Sequence, residues 1–165
     1  MTDRSLLPRR VTALFLLLSA LNLAAMVPGG LVETRSFPAY PPIILAAFNL
    51  FLSGLGLGSL ALAAIVWRRG AGTIWPLAAG IAYVAVYTLD LAALFPIGAQ
   101  PMPRLLMTLE AAGVFLAVPV IAAAPVLTRA DPLAPSVLPV SPAIWIGGVL
   151  VLGTITALAT RAALG

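Results

Sequence analysis

Polar residues along the chain fall into short clusters, and the stretches between them are almost wholly apolar. Five such stretches occur, over residues 11–27, 42–67, 76–95, 105–127 and 143–165. Each is close to the roughly 20 residues a helix needs to cross a hydrocarbon layer of about 30 Å. A backbone in lipid must satisfy its own hydrogen bonds, so each stretch predicts a transmembrane α-helix. The first follows Arg4, Arg9 and Arg10 and ends before Pro28-Gly29-Gly30. Its basic start fits a signal peptide, but the run is long and no small-residue cleavage pattern is evident, so a retained helix is expected. The second ends at Arg68-Arg69, Pro96 and Gly98 stop the third, and Arg129 closes the fourth. Pro119 inside the fourth removes a backbone hydrogen bond and predicts a kink. Pro132, Pro135, Pro139 and Pro142 predict an extended cytoplasmic linker over 128–142. The expected fold is therefore that of an all-α integral membrane protein. An antiparallel four-helix transmembrane bundle fills 1–127, and a fifth transmembrane helix, 143–165, follows the Pro-rich linker.

Composition narrows the chemistry. Of 165 residues, 62% are hydrophobic and 8% charged, and the mean hydropathy is +1.12, which makes lipid the expected solvent. Cysteine and histidine are absent, which removes disulfides, thiolate chemistry, zinc sites and histidine-ligated haem. Lysine is absent too, so no Schiff base forms. No catalytic residue, metal or cofactor is expected, and the chain is read as non-enzymatic. All nine basic residues are arginines at or near the ends of the apolar runs, an anchoring pattern rather than a nucleic-acid footprint. With a cytoplasmic N-terminus the inner side holds Arg4, Arg9, Arg10, Arg68, Arg69 and Arg129, six against Arg35, Arg104 and Arg161 outside. Trp67, Trp75 and Trp145 then fall at the inner interface. The expected location is the bacterial inner membrane, with the C-terminus periplasmic.

These orientations set depths. Asn22 lies six residues before Pro28, Asn49 seven after Pro42, Asp90 six before Pro96 and Glu110 six after Arg104. At 1.5 Å per residue all four sit roughly 9–10 Å below the outer interface. An ionisable group inside a membrane costs at least about 2.5 kcal/mol and faces protein or water rather than lipid. Asp90 and Glu110 lie on adjacent helices joined by the short segment 97–103, so they are expected to approach and share a proton or recruit a cation. Arg104, Arg161 and Arg35, with Glu33 beside it, are candidate charge partners, and Tyr83 and Tyr87 are candidate hydrogen-bond donors towards Asp90. Interhelical hydrogen bonding with no further role is the competing reading of the same layer. The outer segment 29–41, with Glu33 and Arg35, is expected either to fold over this layer, to meet a periplasmic partner, or to be a solvated loop.

Gly54 and Gly58 form a G-x-x-x-G pair that admits close approach of another helix, and Gly147, Gly148 and Gly153 give the last run a similar small face. The dinucleotide fingerprint G-x-G-x-x-G is not met, because Ser59 stands where its last glycine belongs. The function read from these features is that of a non-catalytic accessory, structural or assembly subunit. Its expected partners are the lipid bilayer and other transmembrane subunits or further copies of itself, and no nucleic acid. The alternative is a small proton- or cation-coupled carrier or channel using Asp90 and Glu110. A membrane enzyme working through the two carboxylates ranks last, for want of a nucleophile.

Overall fold

A computed structural model describes residues 6–30, 32–69, 74–130 and 142–164. Five helices account for most of them: α1 Leu6–Ala25, α2 Pro42–Arg69, α3 Ile74–Leu91, α4 Arg104–Ala130 and α5 Pro142–Leu164. No strand occurs among the described residues. All five helices are long and apolar enough to cross a membrane. Their outward faces carry bare hydrocarbon, as at Phe115, Ile43 and Leu150, which are 76%, 74% and 65% exposed. Water would not tolerate such a surface, whereas lipid requires it.

The helix ends differ from the apolar runs for local reasons. α1 starts earlier, at Leu6, because Pro8 is tolerated in a first turn and the Thr12 hydroxyl donates back to the Pro8 carbonyl at 2.9 Å. α3 stops at Leu91, four residues before the end of its apolar run. There the Leu94 amide donates to Leu89 (2.9 Å), the Ala93 amide donates to Asp90 (2.8 Å), and Ala93 takes a positive φ of 52°. This is a Schellman closure with alanine in the left-handed position usually given to glycine. Asp90 therefore belongs to the last turn of α3 rather than to its interior. α4 runs through Pro119 and Pro125 and on to Ala130, into the stretch read from sequence as linker. The rest of that linker, 131–141, lies outside the described residues.

Contacts between helices show alternating directions. Asn22, late in α1, meets Tyr87, late in α3, and Leu109, early in α4, while Asn49, early in α2, meets Thr160, late in α5. α1 lies between α2 and α4, α3 packs on α4, and α5 packs on α2. α2 and α3 are neighbours in sequence yet touch only slightly. Ala13, Leu16, Ala63, Val66 and Val120 form a wholly apolar core towards one end of the bundle. At the other end, here termed the loop end, the segments 26–30, 32–41 and 92–103 lie over the helices.

Candidate functional site

The loop end is built around one arginine. Arg35, in the segment before α2, is 5% exposed and is gripped by two carboxylates. Its Nε donates to Glu33 Oε1 at 3.0 Å and its Nη2 to Glu33 Oε2 at 2.6 Å. Nη1 and Nη2 donate to Asp90 Oδ1 and Oδ2 at 3.0 and 2.7 Å, a bidentate fork. The Arg35 amide donates to Glu33 Oε1 at 2.9 Å, which fixes the acid in place. The guanidinium carbon lies 5.4 Å from the centre of the Phe37 ring. Burial alone would lower the pKa of this arginine, but the hydrogen bonds and charges of Glu33 and Asp90 outweigh it and hold the group above its ordinary value.

Both connecting segments are tied together above this cluster. The Phe37 amide donates to the Ala163 carbonyl of α5 at 2.8 Å, and the Ala99 amide to the Ser36 carbonyl at 2.9 Å. The Ser36 amide donates to Gln100 Oε1 at 2.9 Å, and the Ile97 amide to the Tyr40 hydroxyl at 3.1 Å. Phe95 is held edge-on by Tyr40 and Phe48, with centroids 5.4 and 5.0 Å away. Gly98 passes so close to Arg35 that a Cβ there would lie 3.0 Å from Arg35 Cδ.

Beneath the cluster lies a cavity of about 50 Å³ whose wall includes Glu33, Asn49, Tyr87, Asp90 and Glu110. Three of the five acidic residues in the chain therefore border one small space. Glu110 is 4% exposed, sits beside Asp90, and its Oε2 has no hydrogen-bond partner. Asn49 donates from Nδ2 to the Thr160 hydroxyl of α5 at 3.2 Å. Among the described residues no three acidic side chains are arranged to chelate a metal ion.

Of the four polar residues levelled by counting along the sequence, Asn49, Asp90 and Glu110 share this cavity wall, whereas Asn22 stands behind it. Asn22 donates to the Leu109 carbonyl at 3.0 Å and to the Tyr87 hydroxyl at 3.4 Å. Arg35 and Glu33 join the group. Arg104 and Arg161 are exposed at helix ends and pair with none of these acids among the described residues. The two tyrosines do not donate to Asp90 either. Tyr87 is engaged by Asn22, and Tyr83 stacks on Tyr87 with centroids 6.0 Å apart, one turn deeper. The Tyr83 hydroxyl lies near that of Ser59, but neither completes a hydrogen bond.

The glycine pair has a different setting. Nothing lies within 4 Å of a Cβ placed on Gly54 or on Gly58, so neither mediates packing inside this chain. Both line an open groove of about 450 Å³ between α2 and α3, faced by Ala78, Ala79 and Ala82. Gly147, Gly148 and Gly153 of α5 are equally open. Among the helical glycines, those that pack closely are Gly113, where a Cβ would enter the Tyr87 ring, and Gly80, where it would lie 2.7 Å from Ile121 Cγ1. The sequence reading overlooked both; their spacing carries no pair motif.

Over residues 8–135 the chain matches the family described as a domain of unknown function, DUF8051. The matched stretch takes in α1 to α4 and every residue of the Arg35 cluster, and it stops before α5. No curated protein and no solved structure matches the chain.

Proposed function

The chain belongs to DUF8051, a family described only as a domain of unknown function, and on that premise we propose a non-catalytic membrane subunit. In this reading the five helices span the bacterial inner membrane with the N-terminus in the cytoplasm. The loop end faces the periplasm, and the chain serves as an accessory or assembly component that receives a transmembrane helix of a larger partner.

The observation that carries the reading is the groove between α2 and α3. In lipid, helices associate by close backbone approach, and small residues at four-residue spacing are what permit it. Gly54 and Gly58 supply that spacing on one wall, Ala78 and Ala82 on the other, and among the described residues no segment fills the space. A groove floored by small residues and flanked by Phe51, Leu55, Ile65 and Trp75 fits an apolar helix with its own small face. The carrier alternative has less support, because the end of the bundle away from the acids is packed with Ala13, Leu16, Ala63, Val66 and Val120 and holds no ionisable side chain among its buried residues.

Purification in mild detergent followed by native mass spectrometry tests this. The wild type is expected to come with larger membrane subunits. Gly58→Leu is expected to lose them while keeping the thermal midpoint of the free chain, because its side chain enters open space. A wild-type chain recovered alone, or a complex indifferent to Gly58→Leu, would refute the proposal.

A further inference from the structure

The cavity under Arg35 has an uneven balance of charge and hydrogen bonding. Arg35, above the space, brings one positive charge, Glu33, Asp90 and Glu110 on its wall bring three negative ones, and among the described residues no cationic side chain lines it. Four of the five N–H groups of the guanidinium are directed at Glu33 and Asp90, and none reaches Glu110. Glu110 is 4% exposed, lines the cavity, and leaves Oε2 without a partner. A buried, unmatched carboxylate oxygen carries the full desolvation penalty of its charge unless something in the cavity compensates it.

The residues facing that oxygen favour a donor or a cation. Asn49 spends its amide on Thr160, so its carbonyl oxygen is what remains to offer. Tyr87 accepts the Asn22 amide through its hydroxyl oxygen and keeps its own O–H as a donor, and Phe48 contributes an aromatic wall. A volume of about 50 Å³ admits an ion or molecule of water's dimensions and excludes anything with several carbon atoms. The lack of a chelating trio of acids argues against a divalent ion, which demands several charged oxygens at short range. A proton on Glu110 and a monovalent cation beside it each leave the cluster the same single negative charge, so the cation is distinguished from the proton by experiment.

We infer that this cavity is a binding site for a small monovalent cation, an alkali ion or ammonium, held by Glu110 and the Asn49 carbonyl oxygen beside the Arg35 ion pairs. The acidic residues are not the whole case, because the unpartnered Glu110 oxygen on the wall of this partly open cavity is a separate requirement for a ligand. The inference does not depend on the α2–α3 groove, which lies on another face. Bound there, the cation would tie α4 to α2 under the closed loop end, as a stabilising ligand rather than a transported one.

The test uses the full chain purified in detergent at pH 8, with sodium, potassium or ammonium chloride exchanged against choline chloride at constant ionic strength. At least one small cation is expected to raise the thermal midpoint saturably, by about 2–4 °C, and choline should not. Equilibrium binding of radioactive sodium, or its competition by potassium or ammonium, should saturate near one site per chain and tells the ions apart. Glu110→Gln should abolish both signals, and Asn49→Ala should weaken binding at least tenfold if Glu110→Gln does not fold. The inference fails if the wild type shows neither a cation-specific shift nor saturable binding. It fails equally if Glu110→Gln retains them, or if acidification to pH 5 in choline reproduces the stabilisation and the cations add nothing, since the site would then hold only a proton.

Discussion

Arg35 joins what would otherwise be three mutually repelling acids and a loose loop. Taking two carboxylates and a guanidinium out of water is unfavourable, and only the paired geometry at Glu33 and Asp90 offsets it. Removing the cation alone leaves both acids buried and unmatched, a change that costs about 3–5 kcal/mol. Arg35→Met is therefore expected to lower the thermal midpoint in detergent sharply and to open the 29–41 segment to protease. Arg35→Lys, a point charge without the fork, should fall between Met and the wild type. An Arg35→Met protein as stable and as protease-resistant as the parent would mean that the ion pairs do not hold the loop. Counting from helix ends levels Asn49, Asp90 and Glu110 correctly enough to predict a shared neighbourhood, because helical rise is constant. Which of three arginines joins them depends on how the connection between α1 and α2 folds back, and no periodicity encodes that.

Within the elements, space around each glycine separates internal packing from free surface. Gly113 of α4 faces the Tyr87 ring, which is stacked on Tyr83 and bonded to Asn22 and so has little room to retreat. Gly113→Ala should cost about 1–3 kcal/mol by overpacking. Gly54→Ala, placed in open space on α2, should be neutral or stabilising by up to about 1 kcal/mol through helix propensity. Thermal midpoints of the two variants measured side by side decide the matter, and the same loss from both would sink it. The motif visible in sequence, Gly54 and Gly58, turns out not to be a contact within the chain. The contact that matters internally, Gly113 against Tyr87, has no sequence signature, because it depends on which turn of α3 lies opposite.

For the molecule as a whole, the order of contacts runs α5, α2, α1, α4, α3, so the loop end is stitched while the α2–α3 side stays open. Arginine excess at the opposite end favours a cytoplasmic location for it. Arg10 lies 5.8 Å over the Trp67 ring there, an arrangement suited to the headgroup region. The chain has no cysteine, so single cysteines report topology without background. Ala99→Cys at the loop end should react with an impermeant maleimide in intact cells, and Ile74→Cys should react only after the membrane is opened. The reverse pattern would invert the proposed orientation.

The amino-acid sequence alone determined that five apolar runs become helices, where most of them begin, and that buried polar residues sit at one level near one set of helix ends. Those properties follow from run length, proline and a fixed rise per residue, all local quantities. The tertiary structure decided that α3 ends at a Schellman turn just after Asp90, that Arg35 rather than Arg104 or Arg161 meets the acids, and that Glu110 keeps an unmatched oxygen over a cavity. Each of these depends on the path of a loop or the facing of two helices, which contacts between distant residues select and nearest neighbours do not.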